Sequence, residues 1–293
     1  MVDKGLKIKF RHHDTVRIKF SKTGVYIFMI LIACFMALPL IYALGTAFKP
    51  LDELLRFPPV FFVRKPTLSN FSQLFLALDS SAVPFLRYLY NSVLVTVITT
   101  VGTIVVSTLG GYAMAKLKVP FSKVLFTLVV IAMTFPGTVN QIPIYMIVRW
   151  LGLYNSYASL IIINVAGAYG MFLMKQFCDQ LPTPLLEAAR IDGAGEFQIY
   201  WKIALPFLRP AWATLSVFTF TSCWNNGGAS LIYISDQSMR LLPVMLSSLS
   251  DNGSLARAGA SAAASFILMM PSLVIFVLQQ RKVMATMAHS GIK

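Results

Sequence analysis

Glu187 and Asp192 are the carboxylates whose surroundings suggest a task. They sit in Glu187-Ala188-Ala189-Arg190-Ile191-Asp192-Gly193-Ala194, a polar island between long apolar runs. Two carboxylates offer acceptors to Arg, Lys or backbone donors, and Ala188, Ala189, Gly193 and Ala194 let another backbone approach closely. That is the chemistry of docking, not of catalysis. On residue types alone an amphipathic helix lying at the membrane interface is the other reading, although Gly and Ala at this density make a poor lipid-facing surface. Thr183 suits a helix N-cap and Pro184 the first helical position. Glu187 then falls in the first turn, where the helix dipole favours a carboxylate. Leu185, Ala189 and Asp192 lie near one stripe, which Ala188 and Ile191 widen. Gly193 and Gly195 end the helix. Phe197 to Ile203 forms a second short helix, and Leu205-Pro206 opens the entry into the next apolar run.

The groups an enzyme would need are missing from the apolar runs. The histidines are His12, His13 and His289, all in the tails, so neither a histidine-dependent protease nor a zinc site in the bundle is expected. Proton-coupled carriers ordinarily place Asp, Glu or His inside the membrane, which argues against that class. A sodium-coupled carrier built on backbone carbonyls stays open. Cys34, Cys178 and Cys223 show no metal or redox spacing. No Gly-x-x-x-x-Gly-Lys-Ser/Thr loop occurs, so no cofactor is expected in this chain and energy for uphill transport must come from another one. Amide and aromatic groups suited to a sugar are present at Asn91, Asn140, Gln141, Trp224, Asn225 and Asn226. For each, helix-to-helix hydrogen bonding or an interfacial aromatic belt is an equal reading.

The elements that position these residues are membrane helices. Of the 293 residues, 57% are hydrophobic and 12% charged, and the mean hydropathy is +0.70. Soluble chains carry about 25% charged residues. Six segments are expected to span: 25–48, 91–115, 124–148, 154–177, 211–234 and 258–280. The net charge of +14 follows topology. Lys4, Lys7, Lys9, Arg11, Arg17, Lys19 and Lys22 precede the first run; Lys116, Lys118 and Lys123 follow the second; Lys175, Arg190, Lys202 and Arg209 surround the polar island; and Arg281, Lys282 and Lys293 close the chain. Basic residues on alternate loops mark the cytoplasmic side and place both termini there. With no nucleic-acid-binding motif present, nucleic acid is not an expected partner. The expected layout is a basic segment 1–24 suited to an anionic leaflet, a six-helix domain 25–283 containing the polar segment 182–206, and a tail 284–293. Pro58, Pro59 and Pro66 are expected to keep the outward loop 49–87 free of regular helix, and Pro136-Gly137, Pro143 and Pro271 to bend spans.

The order Glu-Ala-Ala, two residues, Asp-Gly-Ala, then Ile203-Ala204-Leu205-Pro206 and Pro210 resembles the EAA loop of permease subunits of binding-protein-dependent ABC importers. Pro66-Thr67-Leu68-Ser69-Asn70-Phe71, Trp224-Asn225, Leu242-Pro243 and the tail from Gln280-Arg281-Lys282 to Ser290-Gly291-Ile292-Lys293 make it similar to MalG-like carbohydrate permeases, nearest to those for complex or acidic oligosaccharides such as alginate. It departs from them at Asn225-Asn226-Gly227-Gly228. The resemblance implies an all-α integral membrane protein with the type I ABC importer permease fold, six transmembrane helices and a cytoplasmic coupling helix at Glu187 to Gly193. It also implies the inner membrane, a second homologous permease subunit, two ATPase subunits that bind the ATP and Mg, and an extracytoplasmic solute-binding protein delivering a sugar. A self-sufficient ion-coupled transporter or channel, and a membrane-anchored assembly factor, are the rival classes.

Overall fold

The computed structural model describes residues 22–79, 83–251 and 258–290, so most of the basic N-terminal segment, with His12 and His13, and the last three residues lie outside it. Every regular element among the described residues is a helix. The chain through Tyr42 forms one unit and the chain from Ala43 a second.

The first unit is nearly all of α1 (Lys22–Thr46), whose 25 residues extend about 37 Å, enough for a hydrocarbon core of about 30 Å. In the second unit, α2 (Leu51–Leu54) precedes the proline-rich stretch, and α3 (Ser69–Asp79) follows it. The loop 49–87 is therefore not free of regular helix, because the breakers stop at Pro66 and do not resume until Pro84. Buried polar groups hold this stretch. The Glu53 carboxylate accepts the backbone N–H of Arg64 and of Lys65, both at 3.1 Å, and the Lys49 ammonium donates to the Val60 carbonyl. Asn70 donates to the carbonyls of Ala47 and Lys49 at 2.9 and 2.7 Å.

The first span of this unit is α4 (Phe85–Lys116), 32 residues long. Its buried face carries Ser92, Thr96, Thr99, Thr103, Ser107 and Gly111, small residues that let helices approach where no hydrophobic force drives them together. The region expected to be one span at 124–148 is two helices, α5 (Ser122–Thr134) and α6 (Gly137–Trp150), bent by 112°. Pro136 removes an N–H and pushes Phe135 into extended backbone (φ −83°, ψ 124°), and the helix stops there. Next come α7 (Tyr157–Val165) and α8 (Ala168–Asp179), which together pass as one span.

The polar segment follows as α9 (Thr183–Ile191), α10 (Glu196–Ile199), a π-helical turn at Tyr200–Ala204 and α11 (Leu205–Phe207). Thereafter α12 (Arg209–Asn225) leaves at 74° to it. The span expected at 211–234 ends at Asn225, where Asn226 and Gly227 separate α12 from α13 (Gly228–Tyr233). A short 3-10 turn at Gln237–Met239, α14 (Leu242–Asp251) and α15 (Ala258–Ser290) complete the fold, Pro271 lying inside α15 without ending it. Among the described residues four helices are long and apolar enough to cross a membrane, and each of the two bent pairs adds one more if it is a single span.

Candidate functional site

Thr183 is the first residue of α9 and makes no capping bond; the residue before it is Pro182, in extended backbone. Pro184 lies in the opening turn as its fixed φ favours, and Glu187 falls one residue further into the helix than expected, just past the first turn. The helix is seated through Leu186, 1% exposed, and Ala189, which pack with Ala194 on a core of Met174, Phe177, Cys178, Leu181, Ile199, Tyr200 and Leu208. The expected stripe is thus divided. Leu186 and Ala189, three apart, point inward, while Leu185, Ala188, Ile191 and Asp192 face out, Ile191 at 86% exposure.

Gly193 ends α9 in the left-handed region at φ +82°, with its N–H on the Arg190 carbonyl at 3.0 Å and the Ala194 N–H on the Ala189 carbonyl at 3.0 Å. The turn brings Arg190 against Glu196, Nε to Oε1 2.7 Å, and the carboxylate holds the guanidinium above its ordinary pKa. The other Glu196 oxygen accepts the Tyr112 hydroxyl of α4 at 3.3 Å. Arg190, Glu196 and Tyr112 escape sequence reading because neither a six-residue nor an 84-residue separation is a helical spacing. The side-chain carboxylates of Glu187 and Asp192, both exposed residues, make no hydrogen bond or ion pair with any described residue.

The six expected sugar-passage residues are scattered. Asn91 is fully buried, donates to the carbonyls of Ser238 and Arg240 at 2.8 and 3.0 Å and accepts the Tyr157 hydroxyl at 2.8 Å. Trp224 is buried, donates its indole N–H to the Leu268 carbonyl at 2.9 Å and stacks on Phe220. Asn225 and Asn226 are exposed at the break after α12, and Asn225 lines a cavity of about 360 Å³ with Gly227, Gly228 and Pro243. Asn140, half-buried, and Gln141, exposed, lie on α6 just past the bend. A larger cavity, about 460 Å³, opens at the α7–α8 break between α4 and α12. Thr103, Asn164, Tyr169, Phe218, Thr219 and Ser222 line it, with the Tyr169 and Phe218 rings edge to face at 5.9 Å. Its polar members were visible in the sequence as hydroxyl and amide side chains inside apolar spans.

A family model described as the inner membrane component of binding-protein-dependent transport systems matches residues 107–282, a stretch that holds α9 and the lining of both cavities except Thr103. The sn-glycerol-3-phosphate transport system permease protein UgpE of Yersinia pestis bv. Antiqua (strain Nepal516) is 32% identical over 267 residues, covering 89% of this chain and 95% of that protein. The arabinooligosaccharides transport system permease protein AraQ of Halalkalibacterium halodurans is 29% identical over 274 residues, covering 92% and 94%. In fold, the chain matches a subunit of a bacterial ABC transporter involved in the import of the acidic polysaccharide alginate, at a TM-score of 0.74 and 20% identity, covering 89% of this chain and 98% of that one. With its bent helix pairs, its polar α9 segment and these relatives along most of its length, the chain belongs to the family of inner membrane components of binding-protein-dependent transport systems.

Proposed function

We propose that this chain is the permease subunit of an ATP-driven importer for a sugar or oligosaccharide, and that α9 is the coupling helix that docks in an ATPase subunit. One observation carries the assignment. The helix is anchored to the core by Leu186 and Ala189, yet presents outward Leu185, Ala188, Ile191 and two carboxylates that bond to no described residue. A rigid helix with an apolar and acidic outer face suits a socket in a second protein. Closure of two ATPase subunits, which hold the ATP and Mg, would draw two such helices together, and contacts that differ between the two states would shift the permease between its inward-open and outward-open forms.

In this reading each bent pair is one span, giving six in the domain 25–283, and Lys and Arg on alternate loops put both termini and α9 in the cytoplasm. A second homologous permease subunit completes the passage, and an extracytoplasmic solute-binding protein supplies the sugar. The passage on this side would use Asn140, Gln141, Asn225 and Asn226 together with the Tyr169 and Phe218 cavity, where ring faces and hydroxyls match carbohydrate chemistry. The name of the relative AraQ supports an oligosaccharide as cargo.

The test is Glu187→Lys and Gly193→Asp in the purified complex. Loss of the ATPase subunits, or of binding-protein-stimulated hydrolysis, is expected with the two permease subunits still folded; normal subunit ratio and normal stimulated hydrolysis would overturn the assignment. Liposomes containing this chain alone should show no ion-driven flux, whereas a secondary transporter would.

A further inference from the structure

We infer that the cleft between α4 and the connection running from α10 into α12 binds one anionic phospholipid, its acyl chain inside and its phosphate on Arg209. The cleft encloses about 450 Å³, and Val101, Val105 and Leu109 of α4 face Leu205, Pro206 and Trp212 across it. The two hydroxyls in its walls are already engaged: the Thr108 hydroxyl donates to the Ile104 carbonyl at 2.7 Å or pairs with the Tyr200 hydroxyl at 2.7 Å, and the rest of the wall away from the rim is largely hydrocarbon. Such walls suit a hydrocarbon chain, and the exposed α4 side chains from Val101 to Leu109 give it a run of about 12 Å.

The rim has the opposite character. Arg209, at the start of α12, is exposed, and its guanidinium makes no hydrogen bond or ion pair with a described residue. Trp201, which lines the same cleft, is half exposed, and the Lys282 ammonium lies 5.3 Å from the centre of the Trp212 ring. Tryptophan with cations marks headgroup level, where basic side chains between helices attract anionic lipid. Charge also selects between occupants. An apolar helix of another subunit filling the cleft would press Arg209 against hydrocarbon, a costly placement, whereas a lipid phosphate meets its guanidinium fork. The lipid belongs to the leaflet on the α9 side and braces α10 and the π-helical turn against α4.

The cleft contains its own reporters, since bromine on an acyl chain quenches tryptophan on contact. The full-length chain, with the subunits that copurify with it, is reconstituted in phosphatidylcholine vesicles in which either phosphatidylglycerol or phosphatidylcholine is brominated. The quenching that disappears in the Trp201→Phe, Trp212→Phe double variant isolates the cleft. That component is expected at about a fivefold lower fraction of brominated phosphatidylglycerol than of brominated phosphatidylcholine, as one arginine at headgroup level provides. Arg209→Gln should equalise the two lipids and Arg209→Lys should keep them apart. Equal quenching by both lipids in the native chain would mean unselective hydrocarbon contact, and absence of quenching by either would mean that protein fills the cleft; both results overturn the inference.

Discussion

The Tyr112 hydroxyl of α4 donates to Glu196 at 3.3 Å, and the same carboxylate binds Arg190 at the end of α9. A span and the outward-facing helix are thus joined through one side chain. Tyr112→Phe and Glu196→Gln are expected to leave subunit assembly and thermal midpoint nearly unchanged, because the ion pair is largely exposed. Sugar taken up per ATP hydrolysed should fall. Parallel assays of uptake and hydrolysis check this, and an unchanged ratio would show that the joint transmits nothing.

Leu186 and Ile191 lie on the same short helix with opposite fates. Leu186→Ala empties a site that is 1% exposed and should cost about 2–5 kcal/mol, visible as a lowered thermal midpoint. Ile191→Ala, at 86% exposure, should leave the midpoint in place and weaken retention of the ATPase subunits on purification.

Asn91 is an equally direct test of a polar residue inside a span. Asn91→Ala takes the amide away from the Arg240 carbonyl, the Tyr157 hydroxyl and the Ser238 carbonyl, the last of which keeps Arg87 Nε at 3.3 Å, and a loss of about 1–3 kcal/mol is expected in thermal or denaturant unfolding. Sugar selectivity of whatever protein survives should be that of the native chain. A changed selectivity at unchanged stability would put this amide in the passage instead.

At Gly111 a Cβ would stand 2.7 Å from the Met174 Cβ and 2.8 Å from the Lys175 backbone nitrogen. Backbone cannot withdraw as a side-chain tip can. Gly111→Ala should therefore separate α4 from α8 at a cost of about 1–3 kcal/mol, measurable as faster amide exchange along both helices. Gly137→Ala, where nothing lies within 4 Å, serves as the control.

Much of this architecture could be read from local pattern. Length and hydropathy located the spans, and Pro136 marked the sharpest bend, although not that it would separate two helices by 112°. Gly193 fixed the end of α9 because its left-handed φ is a local property. Which side of α9 points inward was not legible, since it is set by the packing of Leu186 and Ala189 on Met174, Phe177 and Leu208 and not by the stripe itself. Asn91 and Trp224 likewise seemed available to a ligand until their partners, Ser238, Arg240 and Leu268, were brought to them by packing from distant parts of the chain. The Tyr169 and Phe218 cavity depends on where α7 breaks and how α12 passes it, neither of which has a periodic signature.

One helix carries both kinds of anchor. On α4, Asn91 is tied to the segment after α13 and Tyr112 to the segment after α9, about 32 Å apart along the axis, with Gly111 pressing the helix onto α8 between its neighbours. A rod gripped at both ends cannot yield locally. In the importer proposed above, torque applied near Glu196 is expected to reach Asn91 as a tilt, with the two ends of α4 moving as opposite ends of a single lever.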